Sequence, residues 1–183
     1  MRKIIAGLFI SVDGVVESPE TWQFPYFNDE MGEAVASQAA EADTILLGRR
    51  TYEEFAAYWP NQPRDAEFAA TMNDTPKLVA SRSLRTLDWD NSTLIEGDVA
   101  MALAELKDQP GANISIIGSG TLVRSLLHAG VLDELRLLVH PIVVGRGKRL
   151  FDGAEDRVPL ELVSSAAFKT GVLSLVYRPE VAN

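Results

Sequence analysis

The 183-residue chain contains no cysteine, and that absence removes disulfides, thiolate metal ligands and thiol nucleophiles together. Histidine is nearly as scarce. His128 and His140 are the two present, which argues against a histidine-rich metal site, so no metal is expected. The His/Cys signature of zinc deaminases is missing as well, and with it that deamination chemistry. No run of ~18 or more apolar residues occurs, which excludes a conventional membrane-spanning helix. Positive charge is in deficit: 17 Lys and Arg face 26 Asp and Glu, a net charge of −9. Such a chain repels polyphosphate at long range, so a general nucleic-acid coat protein is excluded, whereas a small anion held by local basic residues is not. The opening MRKIIAGLFISVDG imitates a signal peptide, but Asp13 and Gly14 interrupt its apolar run and no small-residue cleavage pattern follows. It reads as a strand, and the chain reads as a cytoplasmic domain.

With 46% hydrophobic and 23% charged residues, the composition is that of an ordinary globular protein, and the length suits a single domain over residues 1–183. Ile4–Ile10 is β-branched and aromatic and ends at Asp13-Gly14. Ser18 to Phe27 is a Pro-interrupted loop holding Trp22, Phe24, Tyr26 and Phe27. A helix capped by Asn28 or Asp29 follows to about Glu41. Thr44–Leu47 predicts a buried strand, followed by a helix from near Thr51. The polar segment Pro60–Pro76 predicts one short helix over Arg64–Met72, then strands at Lys77–Ala80 and Thr93–Ile95. Val99, Ala102, Leu103 and Leu106 have the spacing of one helical face, with Asp98 as cap. Ile114–Ile117 is a strand; the helix carrying Leu122, Val123, Leu126 and Leu127 ends at Gly130. Three strands finish the chain, Leu135–Val144, Leu160–Phe168 and Val172–Tyr177, with Thr170-Gly171 turning between the last two. Strand–helix alternation closed by a hairpin predicts an α/β fold: three layers, a mostly parallel central sheet, helices on both faces and a C-terminal antiparallel hairpin.

In such sheets ligands bind at the carboxyl ends of strands. Three segments have the chemistry for it. Ile117-Gly118-Ser119-Gly120-Thr121 joins a strand to a helix start, where glycines permit close approach and free N–H groups favour an anion. Its spacing stops short of the full G-x-G-x-x-G pattern, because residue 123 is Val, and a plain strand–helix turn would look the same. Leu47-Gly48-Arg49-Arg50-Thr51 adds two guanidinium groups and a hydroxyl, Thr51 doubling as a helix cap. Ser81-Arg82-Ser83 suits a phosphomonoester, since arginine can hold two oxygens at once. Each alone could be a solvated polar turn. Together they fit a ligand with several separated phosphates.

These strings, taken in order with Ile10-Ser11-Val12-Asp13-Gly14 and Pro141-Ile142-Val143-Val144-Gly145-Arg146-Gly147, resemble the dihydrofolate reductase superfamily. Within it they are most similar to the reductase domain of riboflavin biosynthesis (the RibD C-terminal type) and its stand-alone relatives. The resemblance implies a sheet of about eight strands, an NADPH cofactor and a homodimer formed through the C-terminal strands. It would place Gly118, Ser119, Gly120 and Thr121 on the pyrophosphate, and Gly48, Arg49, Arg50 and Thr51 beside the phosphates. Ser81 and Arg82 would then take the adenosine 2′-phosphate. The basic character of that last position agrees with NADPH rather than NADH; flavin is a weaker alternative.

The resemblance implies reduction of a small heterocycle, with 5-amino-6-(5-phosphoribosylamino)uracil as the candidate substrate. Asp13 and Asp29 are the candidate catalytic carboxylates, and Asp13, Trp22, Phe27 and Arg146 the candidate substrate contacts. Each has a plainer alternative: a turn carboxylate for Asp13, a solvated basic loop for Arg146, a core or dimer contact for the aromatic loop. Dihydrofolate reductases proper carry an acid two places after a proline at this helix start. Here Pro25 is followed two places on by Phe27, which argues against folate reduction. His128 reads as a helix C-terminal cap and His140 as structural. A nucleotide-binding or sensor module without turnover is the alternative of a different class.

Overall fold

The structure, a computed structural model, describes residues 1–153 and 156–180. Among the described residues are five α-helices and eight strands: β1 (Ile4–Ser11), α1 (Asp29–Ala40), β2 (Ala42–Gly48), α2 (Arg49–Tyr58), α3 (Ala69–Asp74), β3 (Lys77–Ala80) and β4 (Ser92–Leu94) come first. Then follow α4 (Val99–Lys107), β5 (Asn113–Ile117), α5 (Gly120–His128), β6 (Glu134–His140), β7 (Leu160–Ala167) and β8 (Leu173–Pro179). The eight strands form one sheet in the order β4-β3-β2-β5-β1-β6-β8-β7. Strands β1 to β6 pair in parallel, while β8 runs antiparallel to both β6 and β7. This is the expected mostly parallel sheet with a C-terminal antiparallel hairpin.

Side-chain alternation along the central strands divides the interior into two layers. Ile4, Ala6, Leu8 and Ile10 of β1 join Leu46, Ile114 and Ile116 in burying Leu103 of α4 and Val123, Leu126 and Leu127 of α5. On the opposite face Ile45, Leu47 and Val79 pack on Tyr52, Met72 and Trp89, with Phe55 and Trp59 at the margin. Helix α1 crosses that same second face: its Gln38 carboxamide donates to Ser115 Oγ at 3.0 Å, and Ser115 is in register with Ile45 and Ile5. Gly7 sits mid-strand beneath it. A Cβ there would stand 2.3 Å from Gln38 Oε1, so any side chain would push Gln38 off Ser115.

Three boundaries differ from expectation for local reasons. Helix α2 begins at Arg49 with Gly48 as its N-cap, so Thr51 is in the first turn and is not the cap. The helix expected over Arg64–Met72 is Ala69–Asp74 instead, because Phe68 adopts a left-handed backbone, φ 64°, that no helix can pass through. Strand β6 stops at His140 rather than Val144. Pro141 has no N–H for the ladder, and the amides of Val144 and Gly145 bond to the Asp13 carboxylate at 3.0 and 2.8 Å. At the far edge β7 is exposed over Glu161–Ala167, with Leu162 and Val163 facing solvent.

Candidate functional site

The parallel strands point their carboxyl ends into a cleft of about 1880 Å³. That is roughly twice the upper end of an ordinary single-ligand pocket, room enough for two molecules side by side. All ten residues proposed from sequence to hold the cofactor, Gly48–Thr51, Ser81, Arg82 and Gly118–Thr121, line it. The sequence-distant ends of β2 and β5 are stitched together. Gly48 N–H donates to Ser119 Oγ at 2.9 Å, and Ser119 N–H donates to Thr51 Oγ1 at 3.1 Å.

Small residues are needed for that approach. Gly118 has φ 59° and a Cβ there would lie 3.3 Å from Thr51, while Ser119 is also left-handed at φ 57°. Two successive left-handed residues turn the chain so that α5 starts directly over the cleft.

The helix starts differ in how their free amides are satisfied. Asn28 caps α1 by accepting from Met31 N–H at 3.1 Å, and Asp98 caps α4 by accepting from Met101 N–H at 2.9 Å. At α2 and α5 no side chain of the described residues caps the start. Their first-turn N–H groups therefore remain for an external acceptor, and the helix dipole makes an anion the favoured one.

Around them Arg49 pairs with Glu53 at 2.9 Å, and Arg50 with Glu17 at 3.1 Å and Glu54 at 3.2 Å. At the end of β3, Ser81 Oγ accepts from Ser83 and Leu84 N–H at 3.2 and 3.0 Å, keeping its own proton to donate. Arg82 beside it is exposed. The donors fit a dinucleotide: two uncapped helix starts and Arg50 for the pyrophosphate, and a hydroxyl–guanidinium pair at β3 for a ribose phosphate.

The candidate catalytic and substrate residues fall in different places. Asp13 accepts from Ser11 Oγ at 2.6 Å, Val144 N–H at 3.0 Å and Gly145 N–H at 2.8 Å, with Arg149 3.5 Å away. The Ser11 hydroxyl and the two amides hold its carboxyl well below the usual carboxylate range. Asp13 is thus an ionised clasp between the β1 end and the 141–149 loop, with no proton to give. Asp29 is exposed in the first turn of α1 and is absent from the cleft lining. The capping partner there is Asn28, which donates to Glu30 at 2.9 Å.

Phe27 does line the cleft. Trp22 does not. It is buried under the loop, donates to Glu17 O at 3.2 Å and stands edge-on to His140, ring centroids 5.1 Å apart. Arg146 opens into a separate hollow of about 260 Å³ with Trp22 and Glu17.

His140 is fully buried, bonded through Nδ1 to Leu138 O at 2.8 Å and boxed by Phe9, Trp22 and Tyr26. Burial pushes its pKa down, so it sits neutral. Its Nε2 has no hydrogen-bond partner among the described residues.

Several cleft residues carried little sequence signal. Phe55, Trp59 and Phe68 wall the cleft together with Phe27, and Gln38 and Ser115 add neutral polar groups. The one available clue was Gly7, a glycine inside an otherwise β-branched strand, which marks a close approach.

Residues 2–174 match the RibD C-terminal domain family. The chain is 30% identical over 180 residues to the uncharacterized protein YyaP of Bacillus subtilis strain 168, covering 96% of this chain and 94% of that one. Among solved structures, a pyrimidine reductase-like protein from Corynebacterium diphtheriae superposes with a TM-score of 0.69 at 14% identity, over 99% of this chain and 93% of that one. A diaminohydroxyphosphoribosylaminopyrimidine deaminase/5-amino-6-(5-phosphoribosylamino)uracil reductase from Thermotoga maritima gives 0.69 at 13% identity, over 97% of this chain and 56% of the other.

Proposed function

Because the chain belongs to the RibD C-terminal domain family, a family of reductase domains, we propose that it is an NADPH-dependent reductase of a small flat heterocycle. The observation that carries the cofactor assignment is the pair of uncapped helix starts, α2 and α5, bonded to each other through Ser119 and Thr51 beside Arg50. Gly118–Thr121 and Gly48–Thr51 hold the pyrophosphate, and Ser81 with Arg82 holds the 2′-phosphate. Bound there, NADPH supplies a hydride to an electron-poor carbon of the acceptor, and solvent supplies the balancing proton. The protein's own part is alignment and exclusion of water: Phe27, Phe55 and Trp59 present an apolar wall to a planar ring. An aminouracil of the kind named for the Thermotoga enzyme is the first ring to test. Folate is disfavoured by Phe27, an apolar residue on the wall where an acid would be needed.

A second reading, a nucleotide-binding module without turnover, draws on one observation. Asp13 is locked as an acceptor and Asp29 lies outside the cleft, so neither candidate acid can deliver a proton. Substrate-dependent oxidation of NADPH, followed as loss of its absorbance during a screen of pyrimidine and pterin rings, separates the two readings. Turnover supports the reductase; tight NADPH binding without turnover of any ring supports the module.

We also propose a homodimer through the β7 edge, where Leu162 and Val163 lie open to solvent on the strand that ends the sheet. A monomeric mass in solution would contradict it.

A further inference from the structure

An acid stands among the donors of the cofactor site. Glu17 lines the cleft beside Arg50 and Lys148, and each of its carboxylate oxygens is taken. Oε1 lies 3.1 Å from an Arg50 terminal nitrogen, and Oε2 accepts from Lys148 N–H at 3.1 Å. A guanidinium and a backbone amide are the donors a phosphate draws on. The side chain is delivered there by a fixed backbone. Val15 bridges Arg149, Val16 N–H donates to Lys148 O at 3.0 Å, and Glu17 O accepts from the buried Trp22 indole at 3.2 Å. Val16 also reaches the open start of α5, since a Cβ on Gly120 would stand 3.0 Å from its Cγ2. Gly147, at φ 107°, leaves room for the carboxylate, because a Cβ there would lie 3.2 Å from Glu17 Oε2.

We propose that the Glu17 carboxylate is a resident stand-in for the cofactor's pyrophosphate, holding Arg50 until a phosphate takes its place and thereby setting how tightly the dinucleotide binds. The inference rests on the cofactor reading and adds to that site a residue that acts through Arg50. Two anions cannot share one guanidinium at close range without repelling each other, so the arriving phosphate must displace the carboxylate. Arg50 also meets Glu54 at 3.2 Å, but that partner is one turn along the same helix and 61% exposed, so it is well screened and moves with Arg50. Glu17 is 29% exposed and comes from across the cleft, which makes it the competitor that matters. Because the backbone of residues 15–17 is held by bonds independent of the carboxylate, the side chain can release Arg50 without undoing the loop.

The test is a calorimetric titration of wild type, Glu17→Gln, Arg50→Ala and the double variant with NADPH, NADH and inorganic pyrophosphate. Glu17→Gln keeps an oxygen for the Lys148 amide and loses only the charge. It is expected to bind NADPH and NADH at least fivefold tighter than wild type, by the same factor for both, since they share the pyrophosphate; inorganic pyrophosphate is expected to follow. On the Arg50→Ala background the same substitution is expected to change affinity less than twofold. Unchanged or weaker binding by Glu17→Gln overturns the proposal, and weaker binding with a lowered melting temperature identifies Glu17 as a structural tie instead. An equal gain with and without Arg50 also overturns it, because Glu17 would then act as a distant charge and not by exchange. If neither dinucleotide binds any of the four proteins, the cofactor reading falls, and the exchange stands or falls on the same pattern with pyrophosphate; no response to pyrophosphate overturns it too.

Discussion

Helices α1 and α4 begin with a side chain folded back onto their free amides; α2 and α5 begin with none. Asn28 and Asp98 serve their own helices, while Gly48 and Ser119 turn toward each other across the cleft. A side-chain cap typically contributes about 1 kcal/mol, and α5, whose Ser119 hydroxyl accepts from Gly48 instead of its own helix, forgoes that contact. The difference teaches where a ligand belongs. Donors stay open at the two starts that meet over the cleft, whereas the short α3, also without a side-chain cap, satisfies its first amide by Ala69 N–H donating to Ala66 O at 3.0 Å.

The strongest way to break this contrast is to fill the stitched turn. Gly118→Val places a β-branched side chain at φ 59°, with its Cβ 3.3 Å from Thr51, in a conformation such residues rarely tolerate. NADPH affinity should fall at least ~100-fold, about 2.7 kcal/mol, as read by calorimetry. Next in size, Arg82→Ala should weaken NADPH at least ~tenfold while leaving NADH almost unchanged, since a charge-assisted contact to one phosphate is worth ~1.5–3 kcal/mol. Equal losses for both cofactors would move the 2′-phosphate site away from β3.

The opposite side of the contrast is tested by Asn28→Ala. Removing this cap should cost about 1 kcal/mol in a denaturant melt and leave NADPH affinity unaltered. A large effect on cofactor binding would show that the α1 start is part of the cofactor site after all.

The smallest effect concerns the aromatic box under the loop. The folded chain resists protonation of His140, whereas the unfolded chain takes a proton near pH 6.5. Stability is therefore unaffected by this group above that pH and falls as pH drops below it, by up to about 1.4 kcal/mol per unit. His140→Gln should flatten the stability profile between pH 6.5 and 5 relative to wild type; identical slopes would contradict a buried neutral imidazole.

The cofactor half of the cleft was legible in the sequence because its chemistry is local. Glycine turns, paired arginines and hydroxyls at strand ends announce themselves within five residues, and Gly118–Thr121, Gly48–Thr51 and Ser81–Arg82 all reach one cleft. The acceptor half is assembled from residues far apart in sequence, and each looks ordinary where it stands. Gln38 is one polar residue on an amphipathic helix, and Ser115 is one small residue in a strand; only their 77-residue contact gives them meaning. Asp13 misled for the reverse reason. A turn carboxylate near a cleft looks catalytic until the amides of Val144 and Gly145, over 130 residues away, occupy it. Trp22 likewise reads as a substrate contact in the sequence, yet it is the loop's buried anchor on His140.

The most direct measurement is a parallel titration of the purified protein with NADPH and NADH, followed by tryptophan fluorescence, since Trp59 lines the cleft. Saturable binding with at least tenfold preference for NADPH, weakened by rising salt as phosphate contacts require, is the predicted result. Absence of binding to either cofactor would contradict the assignment of the two open helix starts to a dinucleotide.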